Sequence, residues 1–437
     1  MKLADWIHKN ISGLLLVVVM SPLCAGGGVA LSYSVTDLGV LSDLPGQNKS
    51  TINAINNAGM VVGVNLTNGF YRGFVYSSNI WMEIGTLGGT NSAALGLNDS
   101  GLAAGRALLT NGFNRGFLWT LGGSNGVVTN PQMQDLGTVG SIGIQSQTDD
   151  INSFSQLCGY SRDTNNVDHA IRYTGGVMAD IHTSGVGLPN SYGFSINDSS
   201  HIAGTAYNKS FSSWSVFYHN GTTATNLGNF GQTNLSKSFG WAINDADSIV
   251  GYLTDTNGHS HAFIWSGGAV TDLGTLGGHF SYALAVNSNN DAVGYSSVNL
   301  ADTTYHAFVR NYGAMRDLNI LLDSTGTGWF LTEARGINDL GQIVGIGSLS
   351  GIKHGFLLNP TIFQTPDITG FKLQATDAIF SFEAVSNQTY FVQYKSNLAE
   401  PTWNYLMSNI VADGSMVTLT NLGSGPSRYY RVGYHVP

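Results

Sequence analysis

The chain has 437 residues, and only 10% of them are charged, against about 25% in an ordinary soluble domain. Its formal net charge is −9 and its lysines and arginines are scattered, which excludes the basic stripe of a nucleic-acid-binding surface. With 57 glycines and a polar fraction dominated by Asn, Ser and Thr, the composition predicts a chain of many tight turns with a neutral polar surface, as in extracellular all-β proteins.

The first thirty residues read as a secretion signal. Lys2 and Lys9 supply a positive start, Ile11 to Met20 is an apolar stretch too short to span a bilayer, and Pro22 then breaks the helix. Small residues follow, so cleavage is expected after Ala25 or Ala30. A lipid-anchored reading would acylate Cys24, but Leu23 stands where a small residue belongs. With Cys24 removed, Cys158 is the one remaining cysteine and no intramolecular disulfide can form.

From residue 31 to residue 360 the chain repeats itself. The first element is an apolar residue followed by Asn, with Gly seven positions after the Asn. It occurs at Asn56, Asn98, Asn152, Asn197, Asn244, Asn287 and Asn338, with Gly63, Gly105, Gly159, Gly204, Gly251, Gly294 and Gly345. The six intervals average 47 residues. The second element is clearest as His261-Ala262-Phe263 and His306-Ala307-Phe308, with counterparts beginning at Arg72, Arg115, His169, Ser215 and His354. The third is Asp-Leu-Gly, as at Asp37, Asp135 and Asp272, with variants at Glu83, Asp180, Asn226 and Asp317. Each unit holds four short alternating strand patterns. In the sixth they are Tyr282 to Asn287, Asp291 to Ser296, His306 to Arg310 and Ala314 to Leu318. Four strands at this period predict a β-propeller blade, and seven copies predict seven blades. The chain enters the repeat on its third element and leaves it on its second, so one unit is divided between the two ends. A ring closed by the N-terminal strand uses that division and removes the open sheet edge; a β-solenoid, the rival reading, has no use for it.

Residues 361–369 read as a linker. Strands are then predicted at Ala378 to Ala384, Thr389 to Lys395, Met416 to Thr420 and Tyr429 to Tyr434, with Trp403 and Tyr405 in the core. This predicts a small immunoglobulin- or fibronectin-III-like β-sandwich over 370–437. The expected whole is all-β: a seven-bladed propeller and a C-terminal sandwich.

Taken together, the His-Ala-Phe, Asp-Leu-Gly-Thr-Leu-Gly-Gly and Ile-Asn elements resemble the HAF-repeat family of bacterial extracellular proteins over residues 35–358. The third and fourth units depart from it at Asp180-Ile181-His182 and Ser215-Val216-Phe217. The resemblance implies secretion and a repeat fold and carries no activity with it. The tail, with Tyr390 to Tyr394, Trp403 and Tyr429 to Val432, resembles C-terminal modules of secreted proteins of Verrucomicrobia. Some such proteins end in a hydrophobic helix and a basic tail; here the last residues are Tyr434-His435-Val436-Pro437, which argues against that kind of sorting.

No zinc-hydrolase or phosphate-loop motif is present, and no nucleophile elbow is assigned. The recurrent histidines invite a metal reading. However, equivalent positions in radiating blades cannot converge on one ion, so they read as structural groups at the inter-blade core, bonded to a neighbouring backbone carbonyl. The recurrent aspartates read as turn caps rather than a catalytic pair. No cofactor, metal or catalytic residue is assigned. Ligand binding falls to the variable loops Thr67 to Tyr71, Asn111 to Arg115, Phe211 to Trp214, Asp302 to Tyr305 and Asp323 to Glu333. There Tyr71, Phe113, Arg115, Trp214, Tyr305 and Trp329 are the candidates. The expected function is that of a secreted, monomeric, non-enzymatic binding or scaffold protein of the cell surface or extracellular matrix. Its expected partner is a glycan or a cell-surface protein, with no nucleic acid and no membrane span after signal cleavage. The rivals are a lectin-like propeller and a polysaccharide-active hydrolase or lyase.

Overall fold

The computed structural model describes residues 31–437, apart from 141–142, 209, 211–212, 229, 231–234, 312, 363–367, 375–376, 384–388, 397–403, 412–415, 422–428 and 436–437. The expected signal segment, Cys24 and Trp403 lie outside the described residues. The chain divides into one unit over Ser32–Pro360 and a second from Thr361 onwards.

Seven four-stranded sheets fill the first unit, and they are the blades of a seven-bladed β-propeller. The inner strands, in chain order, are Thr51–Ile55, Gly88–Leu97, Gly143–Ile151, Asn190–Ile196, Leu235–Ile243, Ser281–Val286 and Trp329–Ile337. Six blades use four consecutive strands. The seventh uses three, ending with Ile352–Ile362, and takes Leu31–Val40 at its outer edge. Strand placement in the sixth unit (Ser281–Val286, Ala292–Ser297, Tyr305–Asn311, Ala314–Asp317) agrees with the sequence expectation to within about a residue. Residues 323–333 differ from the expected loop. They make a short 3-10 turn at Ser324–Gly326 and then enter the inner strand at Trp329.

The first repeat element explains how the blades are joined. The side-chain amide of each repeat Asn donates to the backbone carbonyl of the corresponding Asn in the next blade. Asn56 donates to Asn98 at 2.9 Å, Asn98 to Asn152 at 3.0 Å, Asn152 to Asn197 at 2.9 Å and Asn197 to Asn244 at 3.0 Å. The series continues from Asn244 to Asn287 at 2.8 Å, Asn287 to Asn338 at 3.2 Å, and Asn338 back to Asn56 at 3.0 Å. The belt therefore closes on itself. Each Oδ1 accepts the amide four residues on, as in Asn244 with Ser248 at 2.9 Å, which holds the hairpin turn. All seven asparagines are buried, and Nδ2 and Oδ1 of each carry hydrogen bonds. A net worth of about 1 kcal/mol per bond makes the belt a substantial fraction of the fold's margin.

The second element supplies the core between blades. Its aromatic position (Phe74, Phe117, Phe217, Phe263, Phe308 and Phe356, with Ile171 in the third blade) is buried in every copy. Each such ring contributes roughly 2–3 kcal/mol by burial. The repeat glycine is required beneath it. A Cβ on Gly251 would lie 1.8 Å from the carbonyl oxygen of Phe239 and 3.1 Å from the Phe263 ring, and the other six copies meet the equivalent carbonyl at 1.8–2.2 Å. That carbonyl intrudes near a β-bulge shared by all seven inner strands. The pairing register shifts around the residue three before the Asn, as between Gly240 and Ala242.

The recurrent histidines and acids are partners within one blade. His169 Nδ1 meets Asp180 at 2.6 Å, His261 meets Asp272 at 2.9 Å, His306 meets Asp317 at 2.6 Å and His354 meets Asp37 at 2.8 Å. The expected backbone-carbonyl partner is thus replaced by a carboxylate on the adjacent outer strand; only Arg115 bonds a neighbouring carbonyl, that of Ile144 at 2.7 Å. The acids also cap turns as expected, as when Asp272 accepts from Gly274 N at 2.7 Å.

The second unit holds two three-stranded sheets. One orders Ile368–Gln374, Asp377–Glu383 and Met416–Asn421; the other orders Asn404–Val411, Thr389–Lys395 and Tyr429–His435. Ile368–Gln374 and Asn404–Val411 were not expected from the sequence, and the first begins inside the expected linker. Phe382 of one sheet meets Tyr390 of the other at 5.3 Å between ring centres, and both are buried.

Candidate ligand-binding channel

The inner strands surround a central channel, and counting back from each repeat Asn gives its layers. One residue before the Asn stands an aliphatic side chain in every blade: Ile55, Leu97, Ile151, Ile196, Ile243, Val286 and Ile337. This ring is a constriction between two cavities, five of its members lining both. On the side of the Asn turns lies a shallow cavity of about 210 Å³. On the other side the channel opens to about 410 Å³.

The wider cavity is walled by the bulge residues, and here the seven blades part company. Three before the Asn stand Asn53, Leu95, Asp149, Phe194, Trp241, Leu284 and Arg335, all seven of which line the cavity. The bulge leaves this residue out of the ladder and turns it toward the axis. The residue between bulge and aliphatic ring is small in six blades because the neighbouring blade is close: a Cβ on Gly96 would stand 2.7 Å from Asp150 Cα.

The channel wall carries two kinds of chemistry. From blade three to blade six runs a connected series of rings: Tyr160 to Tyr192 at 4.6 Å, Tyr192 to Phe194 at 5.7 Å and Phe194 to Trp241 at 5.1 Å. It continues from Trp241 to Phe239 at 5.1 Å, Phe239 to Tyr252 at 5.2 Å, Tyr252 to Tyr282 at 4.9 Å and Tyr282 to Tyr295 at 4.8 Å. Phe194 and Trp241 stack at 12° between planes and are the two rings that line the cavity. Phe239 is buried, and Tyr252, pushed up to about 12 by burial, keeps its proton.

Beside the first of these rings, blades two and three carry planar polar groups. Arg106 Nη1 donates to Gln147 Oε1 at 2.6 Å, and Gln147 Nε2 donates to Asp149 Oδ1 at 2.6 Å. Asp149 Oδ2 is shut away from solvent and has no hydrogen-bond partner. Burial pushes the Asp149 carboxyl up to about 7; Gln147 and Arg106 oppose that shift only in part. Arg335 is held by Glu333 at 2.8 Å. Asp150, next to Asp149, is bound structurally, accepting from Ser195 Oγ at 2.7 Å and from the Ile151 and Ile196 amides.

None of the six loop candidates lines this cavity. Tyr71 is buried and donates to Asp43 at 3.2 Å while accepting from Leu44 N. Phe113 is exposed. Arg115 reaches the neighbouring blade's Ile144 carbonyl, Trp214 stacks on Tyr207 at 5.3 Å, Tyr305 meets Tyr295 at 5.8 Å, and Trp329 sets its edge on His354 and Phe356. The channel residues are hidden in the sequence because they are what the units do not share. Their signal is that divergence, at a fixed distance from the Asn.

Among the described residues no group of three His, Cys, Asp or Glu is placed to hold a metal ion, and no helix is long and apolar enough to cross a membrane. Cys158 is buried, and burial raises its thiol well above the usual range.

No protein-family model and no curated protein matches the chain. Solved structures do, as propellers. A puromycin-hydrolyzing peptidase of Mycobacterium tuberculosis matches 77% of this chain at 10% identity and a TM-score of 0.47. TolB from Acinetobacter baumannii matches 54% at 14% identity and 0.36, and the propeller domain of the trilobed protease of Pyrococcus furiosus matches 62% at 10% identity and 0.33. The chain spans 58% and 60% of the first two and 96% of the third. At these identities the likeness is one of fold alone.

Proposed function

We propose that this chain is a secreted, non-catalytic binding protein of the cell surface or extracellular matrix that holds its ligand in the wide end of the propeller channel. We read it as a HAF-repeat protein acting as a monomer. In it the strand Leu31–Val40 closes the ring, and the two C-terminal sheets form a sandwich on a short linker. One observation carries the binding assignment: seven blades that agree at the Asn, the Gly, the aliphatic ring and the buried Phe position diverge at the bulge residue facing the cavity. A purely structural channel needs no stacked Trp241 and Phe194 with Arg106, Gln147 and Asp149 beside them.

The test is binding of purified full-length chain to cell-envelope polysaccharide and matrix fractions, repeated with Trp241→Ala and Phe194→Ala. The expected result is at least tenfold weaker binding in both variants with unchanged thermal unfolding of the sheet. Binding indifferent to both substitutions moves the site elsewhere.

One observation favours a second reading, a polysaccharide-active enzyme. Asp149, at about 7, has the proton affinity of a general acid. Turnover of any polysaccharide by the chain, lost in Asp149→Asn, would establish that reading in place of the first.

A further inference from the structure

The geometry points to a neutral sugar ring as the group that the wide end of the channel accepts, stacked on Trp241 and hydrogen-bonded from the Arg106, Gln147 and Asp149 side. This rests on the binding role proposed above and names its ligand class.

Three features of the cavity lead there. The first is shape. Trp241 and Phe194 stack on each other at 12° and give the cavity of about 410 Å³ an aromatic stretch of wall. The face of a pyranose ring bearing axial C–H bonds is apolar, while its rim is ringed with hydroxyls, so it matches a wall in which aromatic rings and polar groups stand side by side.

The second is the kind of polar group. Asn53, Arg106, Gln147, Asp149 and Arg335 are all planar, and they include amide, guanidinium and carboxyl. Such groups carry two polar atoms in one plane, and some of these are already taken here: Asn53 Nδ2 donates to the Ala94 carbonyl at 2.7 Å. Gln147 already bridges Arg106 and Asp149, which fixes the three as one rigid polar edge. The unpartnered Asp149 Oδ2 leaves that edge short of one hydrogen bond.

The third is charge. Arg106 and Arg335 line the cavity together with Asp149 and Asp150, and Glu333 holds Arg335, so both signs are present at the site. An ammonium group would gain from the aromatic wall but would meet two guanidinium groups, and an anion would meet carboxyl groups. A neutral polyhydroxylated ligand meets neither penalty. The other dense polar cluster of the propeller is closed to ligands: Asp168 is buried and is taken up by Arg162 at 2.6 and 2.9 Å and by the hydroxyls of Tyr192 and Tyr207. The aliphatic ring marks the boundary between this cavity and the smaller one on the side of the Asn turns.

The experiment is saturation-transfer NMR followed by calorimetry on the full-length chain. The probes are methyl glycosides of neutral hexoses, 6-deoxyhexoses, pentoses and N-acetylhexosamines. N-butylammonium and lysine methyl ester serve as cationic probes, and acetate and glucuronate as anionic ones. The expected result is saturable binding of at least one neutral glycoside, weakened tenfold or more by Trp241→Ala and by the near-isosteric Asp149→Asn. The Asn variant keeps the test decisive if removal of the indole perturbs the fold. Binding of only the cationic or anionic probes, lost in Trp241→Ala, overturns the sugar assignment and leaves the channel as a binding site. Loss of both follows if no probe is affected by either variant while envelope material still binds.

Discussion

The two ends of the propeller channel are built from the same seven strands, yet they follow opposite rules. At the narrow end every blade offers the same groups: a buried Asn, an aliphatic residue before it and a glycine seven after it. Two residues further along the same strands, no such agreement holds; the seven positions carry an amide, two leucines, a carboxylate, two aromatic rings and a guanidinium. Uniformity marks positions whose neighbours are other blades. Diversity marks positions whose neighbour is the cavity. The β-bulge is the border between them, because it releases one residue per strand from the ladder without disturbing the joints on either side.

The sharpest way to break the uniform end is Gly251→Ala. A methyl group 1.8 Å from the Phe239 carbonyl cannot be accommodated without moving the inner strand. The expected loss is on the order of 4 kcal/mol, seen as an unfolding midpoint lowered by roughly six degrees or as failure to accumulate folded chain. Asn244→Ala should cost roughly 2–3 kcal/mol, since it takes one of its two donors from the Asn287 carbonyl and leaves the turn amides of Ala246 and Ser248 without their acceptor. If urea unfolding of that variant matched wild type, the belt would be ornamental.

At the diverse end the effects should be smaller and dependent on conditions. The folded-state carboxyl of Asp149 is raised, so the folded chain holds that proton more tightly than the unfolded one. Its contribution is therefore greatest below about pH 4 and is lost as pH rises through about 7. Asp149→Asn is expected to be nearly neutral at pH 4 and to stabilise the chain by on the order of 2 kcal/mol at pH 8, read from paired denaturation curves. Arg106 and Asp150 face the same group and shift the window in opposite directions. An unchanged difference across that range would show that the carboxyl is better solvated than its setting implies.

The smallest effect belongs to the outer strands. His261→Ala should cost no more than about 1 kcal/mol, because both His261 and Asp272 are well exposed. Asp272 raises the His261 imidazole above its usual range, so this contribution is present at pH 5 and lost as pH climbs past the raised value. A loss as large as that of Asn244→Ala would place the His–Asp pairs among the joints.

Much of this was open to reading in the sequence. The blade count, the four strands per unit and the turn-capping acids follow from spacing and residue type. The pairing of His261 with Asp272 was not legible: the two elements were found separately, and nothing in their spacing shows that they share a strand-to-strand register. The channel was lost for a different reason. Asp149, Trp241 and Arg335 occupy one position of the repeat but share no chemistry, so a search for common residues passes over them. The aromatic residues near the loops pack within the fold: Trp214 lies on Tyr207 and on Phe239 of the next blade, and Trp329 on His354 and Phe356. The strand Asn404–Val411 was missed in the C-terminal unit, where no repeat was available to reinforce a weak alternation.

The asparagine belt has one more implication. Every unit gives one hydrogen bond to the unit ahead and receives one from the unit behind, so the seven joints are interchangeable and all run in one rotational sense. Nothing in such a joint counts. A ring with one unit more or fewer would satisfy every asparagine equally well, provided the wedge angle between blades adjusted at the small residues beside the bulge. Copying or deleting a whole unit is therefore the step this architecture tolerates best, and each new copy would bring one free position to the rim of the cavity while leaving the means of assembly untouched.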